Sequence, residues 1–185
     1  MITLRIADIN DAGLIADISR ETFYDTFAIH NSGKDMEKFL ADQFSRELLM
    51  EQVGAAGNHF ILAYEAGHPV GYVFLSEGSN KTLGHIDAIE ICRLYARNAY
   101  IGKGIGKQLM NACIAFAQSL NKECLWLGVW ENNHRAINFY HSFGFTKFGE
   151  HDFILGDDVQ VDWRMCLRVT GKEIAMDYRH ILQGK

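Results

Sequence analysis

The sequence lacks several features that would assign it to a class at once. It contains one proline, Pro69, and no continuous apolar run of about 18 residues, the length needed to cross a membrane. Its amino terminus, MITLRIADIN, has no basic region followed by an apolar stretch, so no secretory signal is indicated. No internal repeat and no linker-like segment interrupts the chain. We therefore expect a cytoplasmic protein that does not associate with membranes.

Cysteine and histidine are present, but not at the spacings of a metal or redox site. The four cysteines form no CxxC pair and the eight histidines form no HExxH pattern, so no bound metal is expected. Buried thiols in a reducing compartment are the simpler interpretation. The formal net charge of −5 argues against nucleic-acid binding and fits a cationic substrate.

Apolar periodicity predicts seven strands and four helices, in the order β α α β β β α β α β β. The strand–helix–strand part requires a parallel crossover, whereas two hairpins require antiparallel pairs. The predicted fold class is therefore α/β (α+β), a mixed sheet with helices on both faces. We expect a single domain over residues 1–170 and a peripheral tail over 171–185.

Three local expectations are specific enough to be tested by a structure. The second helix should run unbroken from about Met36 to Leu48, because apolar residues recur there at helical spacing. The turn of the first hairpin, EAGHP, should contain Gly67 and Pro69. The second hairpin should close across GDD, after the strand FTKFGEHDFIL.

The stretch YIGKGIGKQLM places three glycines between a predicted central strand and a predicted helix. Such a loop forms an anion site, because free amides and the helix dipole face a ligand and absent β-carbons allow close approach. A P-loop does not fit, since Gly102 and Gly106 are one residue too close and Gln108 occupies the hydroxyl position. The dinucleotide motif GxGxxG does not fit either, because the spacing here is GxGxG.

The pyrophosphate of coenzyme A is the remaining ligand, and here the sequence resembles a known family. RLYARNAYIGKGIGKQL and WLGVWENNHRAINFYHSFGF closely resemble two motifs of the GNAT family of N-acetyltransferases, in the correct order. The matching positions are Ile101, Gly104 and Gly106 in the first motif, and Asn133, Ala136, Phe139, Tyr140, Gly144 and Phe145 in the second. Ile101 stands where the family usually has Gln or Arg, so weaker coenzyme binding is expected.

The resemblance implies a GNAT fold, with a mostly antiparallel sheet of about seven strands, and acetyl-CoA as co-substrate. It implies that this sheet is splayed, which frees main-chain groups near Leu94 and Ala96 for the thioester and pantetheine. The EHDFILGDDVQVDWRM segment, LGVWENN and TFYDTFAIHNSG look most like the PaiA-type polyamine N-acetyltransferases. The coenzyme-binding residues then expected are Leu94, Ala96, Gly102, Lys103, Gly104, Ile105, Gly106, Lys107, Asn133 and Asn138.

Acetyl transfer from a thioester to an amine requires a base for the amine and a hydrogen-bond donor for the departing thiolate. Glu90 is the candidate base, because it lies in the central strand and family members often carry a glutamate eleven residues before the position of Ile101. By alternation, Cys92 and Leu94 should share the face of Glu90, with Arg93 opposite. An ion pair of Glu90 with a helix residue is the alternative.

Tyr140 is the candidate donor to the thiolate. A phenol of pKa about 10 is a weaker acid than a thiol of pKa about 8.5, so it should first donate a hydrogen bond. Asn133 lies two helical turns earlier on nearly the same face, where it can hold the coenzyme arm. A core role for the Tyr140 ring is the alternative.

The expected reaction is direct acetyl transfer in a ternary complex, with a small polyamine such as spermidine or spermine as the acceptor. Carboxylates should hold the remaining ammonium groups, and the candidates are Glu21, Asp25, Asp157 and Asp158. An aminoglycoside, an amino acid or a protein N-terminus remains open as acceptor, as does a non-catalytic coenzyme-binding sensor. A homodimer is expected, as in many relatives.

Overall fold

The computed structural model describes residues 1–78 and 81–170, and the predicted tail over 171–185 lies outside the described residues. Seven strands and five α-helices alternate along this part of the chain. In order they are β1 (Ile2–Ile6), α1 (Ala12–Phe27), α2 (Gly33–Asp42), α3 (Arg46–Gln52), β2 (Asn58–Glu65), β3 (His68–Ser76), β4 (Ala88–Ala96), α4 (Ile105–Ser119), β5 (Cys124–Trp130), α5 (His134–Phe143), β6 (Thr146–Leu155) and β7 (Asp158–Arg168). None of the helices in these ranges has the length and apolarity to span a membrane.

The seven strands form one sheet in the order β1-β2-β3-β4-β5-β7-β6. Only β4 and β5 are parallel neighbours, joined by the crossover helix α4, and the other neighbours are antiparallel. Strand β4 occupies the centre, as its apolar sequence predicts. The mixed sheet predicted from the sequence is confirmed.

Helices cover both faces of the sheet and divide its core in two. On one face α4 and α5 pack against the sheet, with Leu109 and Ile137 in the shared cluster. On the other face α1 packs against β2 and β3 through Ile15 and Ile18. A third cluster joins α1, α2 and β6 and is rich in phenylalanine.

The predicted second helix is wrong in one respect, because it is two helices. Helix α2 ends at Asp42, and α3 begins after Ser45, whose hydroxyl accepts a hydrogen bond from the amide of Leu48 at 3.3 Å. A serine at this position satisfies an amide of the new helix and so favours a restart over continuation. The apolar residues kept helical spacing through the break, which concealed it.

The predicted turn of the first hairpin is confirmed for Gly67 and wrong for Pro69. The turn is the pair Ala66–Gly67, with φ angles of +49° and +81°, which matches the twist of the two strands. Pro69 lies in β3 opposite Tyr64, and its carbonyl accepts a hydrogen bond from Arg97 at 2.9 Å. The second hairpin closes across Gly156 and Asp157, within the predicted segment.

A bulge in β4 changes which of its side chains share a face. Ile91 pairs with Leu75 and Arg93 pairs with Phe74, so Cys92 is an extra residue on β4. Arg93 therefore lies on the same face as Glu90, and Leu94 lies on the opposite face with Ile91. The face assignments predicted by simple alternation for Leu94 and Arg93 are wrong beyond the bulge.

Candidate active site

The glycine stretch forms a loop whose amides face outward before α4. Gly102 and Gly104 have φ angles of +82° and +83°, which favour residues without a β-carbon. Their amides, and those of the first three residues of α4, find no acceptor among the described residues. Five free N–H groups at a helix N-terminus are suited to an anion.

Helix α5 begins beside α4 and adds to the same end of the site. A β-carbon at Gly106 would lie 3.5 Å from the Phe139 ring, an ordinary contact distance, so the two helices lie side by side at this point. Asn133 caps α5, with its side-chain oxygen accepting the amide of Ala136 at 3.1 Å. The helix N-termini and the nearby basic residue Lys107 favour negative charge here.

The parallel strands β4 and β5 separate beside these helices. They pair over only four residues each, Ala88–Ile91 with Cys124–Leu127. Beyond this point β4 continues beside β3 as far as Ala96, and β5 continues beside β7 as far as Trp130. The main-chain groups along the open edges are therefore available to a ligand lying in the gap, as the splay predicted from the family requires.

One cavity of about 770 Å³ follows this gap across the sheet. Its first part, the glycine end, is formed by Gly102, Gly104, Gly106 and Lys107 with Asn133. Its opposite part, the phenylalanine end, is formed by five aromatic side chains, namely Phe23, Phe27, Phe39, Phe44 and Phe153. Two ligands can thus enter the cavity, one from each face of the sheet, and meet between β4 and β5.

Tyr140 of α5 lies in the cavity wall, and its ring is buried in the core cluster that α5 shares with α4. Burial raises the pKa of its phenol above the usual value. The hydroxyl therefore stays protonated at neutral pH and can act as a hydrogen-bond donor, as required next to a departing thiolate. The proposed role of Tyr140 stays a prediction.

Glu90 is half-buried, and burial raises the pKa of its carboxyl, with His151 and Arg164 acting in the opposite direction. It forms no hydrogen bond or ion pair with the residues that the structure describes. The alternative prediction, an ion pair with a helix residue, therefore has no partner among them. Its side chain does not line the cavity. A role as base would need a water chain, and the assignment stays a prediction.

The residues predicted to hold the coenzyme fall into two groups. Most of them line the cavity, namely Leu94, Ala96, Gly102, Gly104, Gly106, Lys107 and Asn133. Lys103 instead places its ammonium 4.8 Å from the Tyr100 ring centre, Ile105 is buried in the core, and Asn138 is exposed on α5. Ile101 lines the cavity and is 39% exposed, so it offers an apolar contact where the family usually has Gln or Arg.

The four acidic residues predicted to bind the acceptor do not line the cavity. Glu21 pairs with Arg97 at 2.9 Å, and Asp157 pairs with the ammonium groups of two lysines of α2. Asp158 accepts a hydrogen bond from Gln160 at 2.9 Å, and Asp25 is exposed. The structure does not bring these carboxylates together.

Aromatic rings dominate the phenylalanine end instead. Phe23 stacks on Phe39 with ring centres 4.7 Å apart, and Phe39 meets Phe153 at 5.8 Å. Arg93 lies nearby with its guanidinium 4.9 Å from the Phe44 ring centre. Such a surface accommodates apolar chains and, through the ring faces, ammonium groups.

Asp162 is the functional candidate that sequence reasoning missed. It lies on β7 in the cavity wall, and burial raises the pKa of its carboxyl to about 6. Tyr95 of β4 shares this wall, and the charge on Asp162 helps to raise the pKa of that phenol. An acidic residue inside the apolar strand VQVDWRM was the available signal, since unpaired strand carboxylates are unusual in a core.

The fold and the site define a class of protein, a transferase for an acyl group carried as a thioester on a pyrophosphate-bearing coenzyme. A helix N-terminus with free amides, an open strand edge and a protonated phenol lie along one cavity. Residues 16–145 match the model of the Acetyltransferase (GNAT) family. The chain belongs to this family and is an N-acetyltransferase that uses acetyl-CoA.

Individual relatives agree with this assignment. The chain is 40% identical over 148 residues to an uncharacterized N-acetyltransferase of Lactobacillus delbrueckii subsp. lactis, a match that covers 79% of this chain and 85% of that protein. It is 26% identical over 153 residues to a spermidine N(1)-acetyltransferase of Thermoplasma acidophilum, covering 78% and 88%. The crystal structure of PaiA N-acetyltransferase from the same organism, in complex with coenzyme A, superposes with a TM-score of 0.72 at 22% identity, covering 91% and 99%.

Proposed function

We propose that this acetyltransferase moves the acetyl group directly to a primary amine of a small acceptor, in a ternary complex. The observation that carries the proposal is the single cavity that joins the glycine end to the phenylalanine end past Tyr140. Donor and acceptor can be held at the same time on opposite sides of the β4–β5 gap. A covalent enzyme intermediate has little support, because burial raises the pKa of the cavity thiol, Cys92, to about 12.

In this proposal the free amides of Gly102 and of residues 104 to 107 bind the coenzyme pyrophosphate, and Asn133 binds its arm. Main-chain groups of Leu94 and Ala96 bind the thioester, and Tyr140 donates a hydrogen bond to the sulfur as the bond breaks. These roles rest on the position of each residue in the cavity wall.

We further propose a polyamine as the acceptor class. Its support comes from the spermidine N(1)-acetyltransferase among the relatives and from aromatic rings that suit methylene segments and ammonium groups. A monoamine with an apolar body is the second candidate, because the described cavity wall contains a single carboxylate, Asp162, whereas the phenylalanine end alone contributes five rings. A polyamine would gain from more acidic partners than this.

The experiment is an acceptor panel that follows free thiol released from acetyl-CoA. Spermidine, spermine, lysine, an aminoglycoside and phenethylamine are compared by kcat/KM. A preference for spermidine or spermine supports the polyamine proposal, and a preference for phenethylamine supports the apolar monoamine. Tight acetyl-CoA binding without turnover of any amine would instead indicate a sensor and contradict the proposed reaction.

Two further proposals concern the whole chain. We propose that residues 1–170 form the catalytic domain and that the chain acts in the cytoplasm as a homodimer. Free thiols at Cys92, Cys113, Cys124 and Cys166 agree with a reducing compartment. Light scattering of the purified chain tests the dimer.

A further inference from the structure

Asp162 and His151 meet above Gly128, on the acceptor side of the β4–β5 gap. They are opposite each other in the β6–β7 ladder. A β-carbon at Gly128 would lie 3.4 Å from His151 Nε2 and 3.5 Å from Asp162 Oδ2. Because residue 128 is glycine, this point is open, and Gly128 and Asp162 both line the cavity. An amine nitrogen or a water near this point can reach both side chains.

The orientation of His151 leaves one ring nitrogen available. Its Nδ1 lies 2.9 Å from the carbonyl oxygen of Asp152, so Nδ1 carries the proton and donates it. In the neutral ring Nε2 then has a free lone pair, and this is the atom beside Gly128. His151 is thus prepared to receive a proton on the side of Asp162.

Asp162 has no hydrogen-bond or ion-pair partner among the described residues, although charged and polar groups surround it. His151 faces it from β6, and the charge on Asp162 acts in turn on Tyr95 of β4. Its neighbours on β7 have partners, since Arg164 donates to Thr82 and Gln160 donates to Asn31. Glu90 of β4 lies on the same face without a partner among the described residues, and His151 acts on its carboxyl as well. Beyond Trp130, opposite Asp162 on β5, lies the His30 ring.

We propose that Asp162 takes the proton from the ammonium group of the acceptor and that His151 passes this proton on to solvent. The inference rests on the proposed transfer to an amine and assigns its base. Asp162 is the catalytic residue, because it faces the acceptor in the cavity, and His151 is a positioning and relay residue behind it. Burial tunes the carboxyl toward neutral pH, the range in which a general base is most effective.

The proton balance of the reaction is complete with these groups. The acceptor ammonium gives one proton to the Asp162 carboxylate, and the neutral amine forms a bond to the thioester carbon. As the carbon–sulfur bond breaks, the electron pair leaves with sulfur, and the second proton lost from nitrogen reaches this thiolate with Tyr140 as donor. The carboxyl of Asp162 returns its proton to His151 Nε2 and from there to water.

The test compares Asp162→Asn with Glu90→Gln, the other candidate base, using the best acceptor of the panel. We expect Asp162→Asn to lower kcat about 100-fold or more and to remove the acidic limb of the kcat–pH profile near pH 6. Glu90→Gln should cause a much smaller loss and keep that limb. Asp152→Asn is the matched control, because Asp152 is an exposed neighbour of His151 and pairs with Val161 instead of Asp162.

His151→Gln has a readout that a merely structural role would not give. His151 lowers the pKa of Asp162, so its replacement should move the acidic limb to higher pH. Gly128→Ala keeps both groups and fills the space between them at ordinary contact distances. It should lower acceptor kcat/KM about tenfold or more while acetyl-CoA affinity is kept, and it remains informative if Asp162→Asn does not fold.

Three results would overturn the assignment. They are a larger loss in Glu90→Gln than in Asp162→Asn, an acidic limb that persists in Asp162→Asn, and native kinetics in Gly128→Ala. A native protein that binds acetyl-CoA and acetylates no amine would contradict the proposed function itself, and this inference with it. The acceptor panel on the native protein therefore tests the proposed function by itself, and the variants test the assignment of Asp162 only if the native protein acetylates an amine.

Discussion

At the glycine end of the cavity the groups that face a ligand belong mainly to the main chain, whereas at the phenylalanine end they are side chains. The glycine end is formed by one loop and two adjacent helix N-termini, contributed by Gly102, Gly104, Gly106, Lys107 and Asn133. The phenylalanine end takes its rings from α1, α2, β6 and the turn before α3. The amides of the glycine end do not depend on side-chain identity, whereas the rings of the phenylalanine end do.

In the proposed function, this difference separates the part of the site that binds the coenzyme from the part that selects the acceptor. Main-chain amides keep their geometry when neighbouring side chains change, so this end is fixed by the fold. Rings from four separate segments can be replaced one at a time, so the other end can change its specificity without loss of the fold. Substitutions should therefore affect the two substrates separately, with Tyr140 as the exception between them.

Tyr140→Phe should have the largest effect, because it removes a donor that is needed only as the thiolate leaves. We expect kcat to fall about 100- to 1,000-fold with little change in the Kd of acetyl-CoA. Stopped-flow kinetics and calorimetry measure the two quantities. Equal losses in both would indicate a packing role for the ring.

Gly104→Val tests the glycine end alone. A β-branched residue at a φ of +83° is strained and would alter the outward amides before α4. We expect the Kd of acetyl-CoA to rise about tenfold or more, with a smaller change in acceptor KM. Gly33→Ala is the matched control, since Gly33 has open space around it and an ordinary φ. A native Kd in Gly104→Val would show that the loop does not bind the coenzyme.

Asp162→Asn should also reveal the cost of the buried carboxyl to stability. The pKa of Asp162 is about 6 in the folded chain against 3.8 for an exposed carboxyl, so the folded state binds this proton more tightly. Its stabilising contribution is present below about pH 4 and is lost as the pH rises through 6. Partial exposure reduces the effect, so Asp162→Asn should be more stable than the native protein by about 1–2 kcal/mol at neutral pH, with no gain at low pH. Thermal unfolding across pH would contradict this if the difference were constant.

Phe153→Leu should have the smallest effect and tests the phenylalanine end alone. Phe153 is only partly buried and contacts Phe39 across the cavity, so a smaller side chain should fold with little loss of stability. We expect acceptor kcat/KM to fall about threefold to tenfold with an unchanged Kd for acetyl-CoA. Ile154→Ser, at the exposed neighbour on the other face of β6, should leave both unchanged. A change in the Kd of acetyl-CoA without a change in acceptor kcat/KM would contradict the assignment of the phenylalanine end to the acceptor.

The same contrast explains how much could be predicted from the sequence. The order of strands along the chain and the position of the glycine loop were predictable, because each depends on local pattern and on residues close together in the chain. The phenylalanine end was not, because Phe23, Phe39 and Phe153 meet only through the packing of α1, α2 and β6. The four carboxylates predicted to bind the acceptor are exposed and lie outside the cavity, whereas Asp162 was concealed inside an apolar strand.

Two smaller errors have the same origin. The break between α2 and α3 depends on the hydroxyl of Ser45, which apolar periodicity does not register. The face of Leu94 depends on a bulge that is visible only in the pairing of β4 with β3. Both are consequences of hydrogen bonding, whereas the prediction relied on the pattern of apolar residues.

The extra residue in β4 also bears on how this protein can vary in length. Removing Cys92 would restore strict alternation and leave Arg93 opposite Phe74 and Leu94 opposite Val73, so the side chains would keep their faces and the strand would lose only its bulge. In a strand without an extra residue, a single-codon deletion would instead turn every following side chain to the other face of the sheet. Insertions and deletions should therefore be tolerated in the surface turns of this enzyme and at this bulge, and selected against in the regular parts of its central strands.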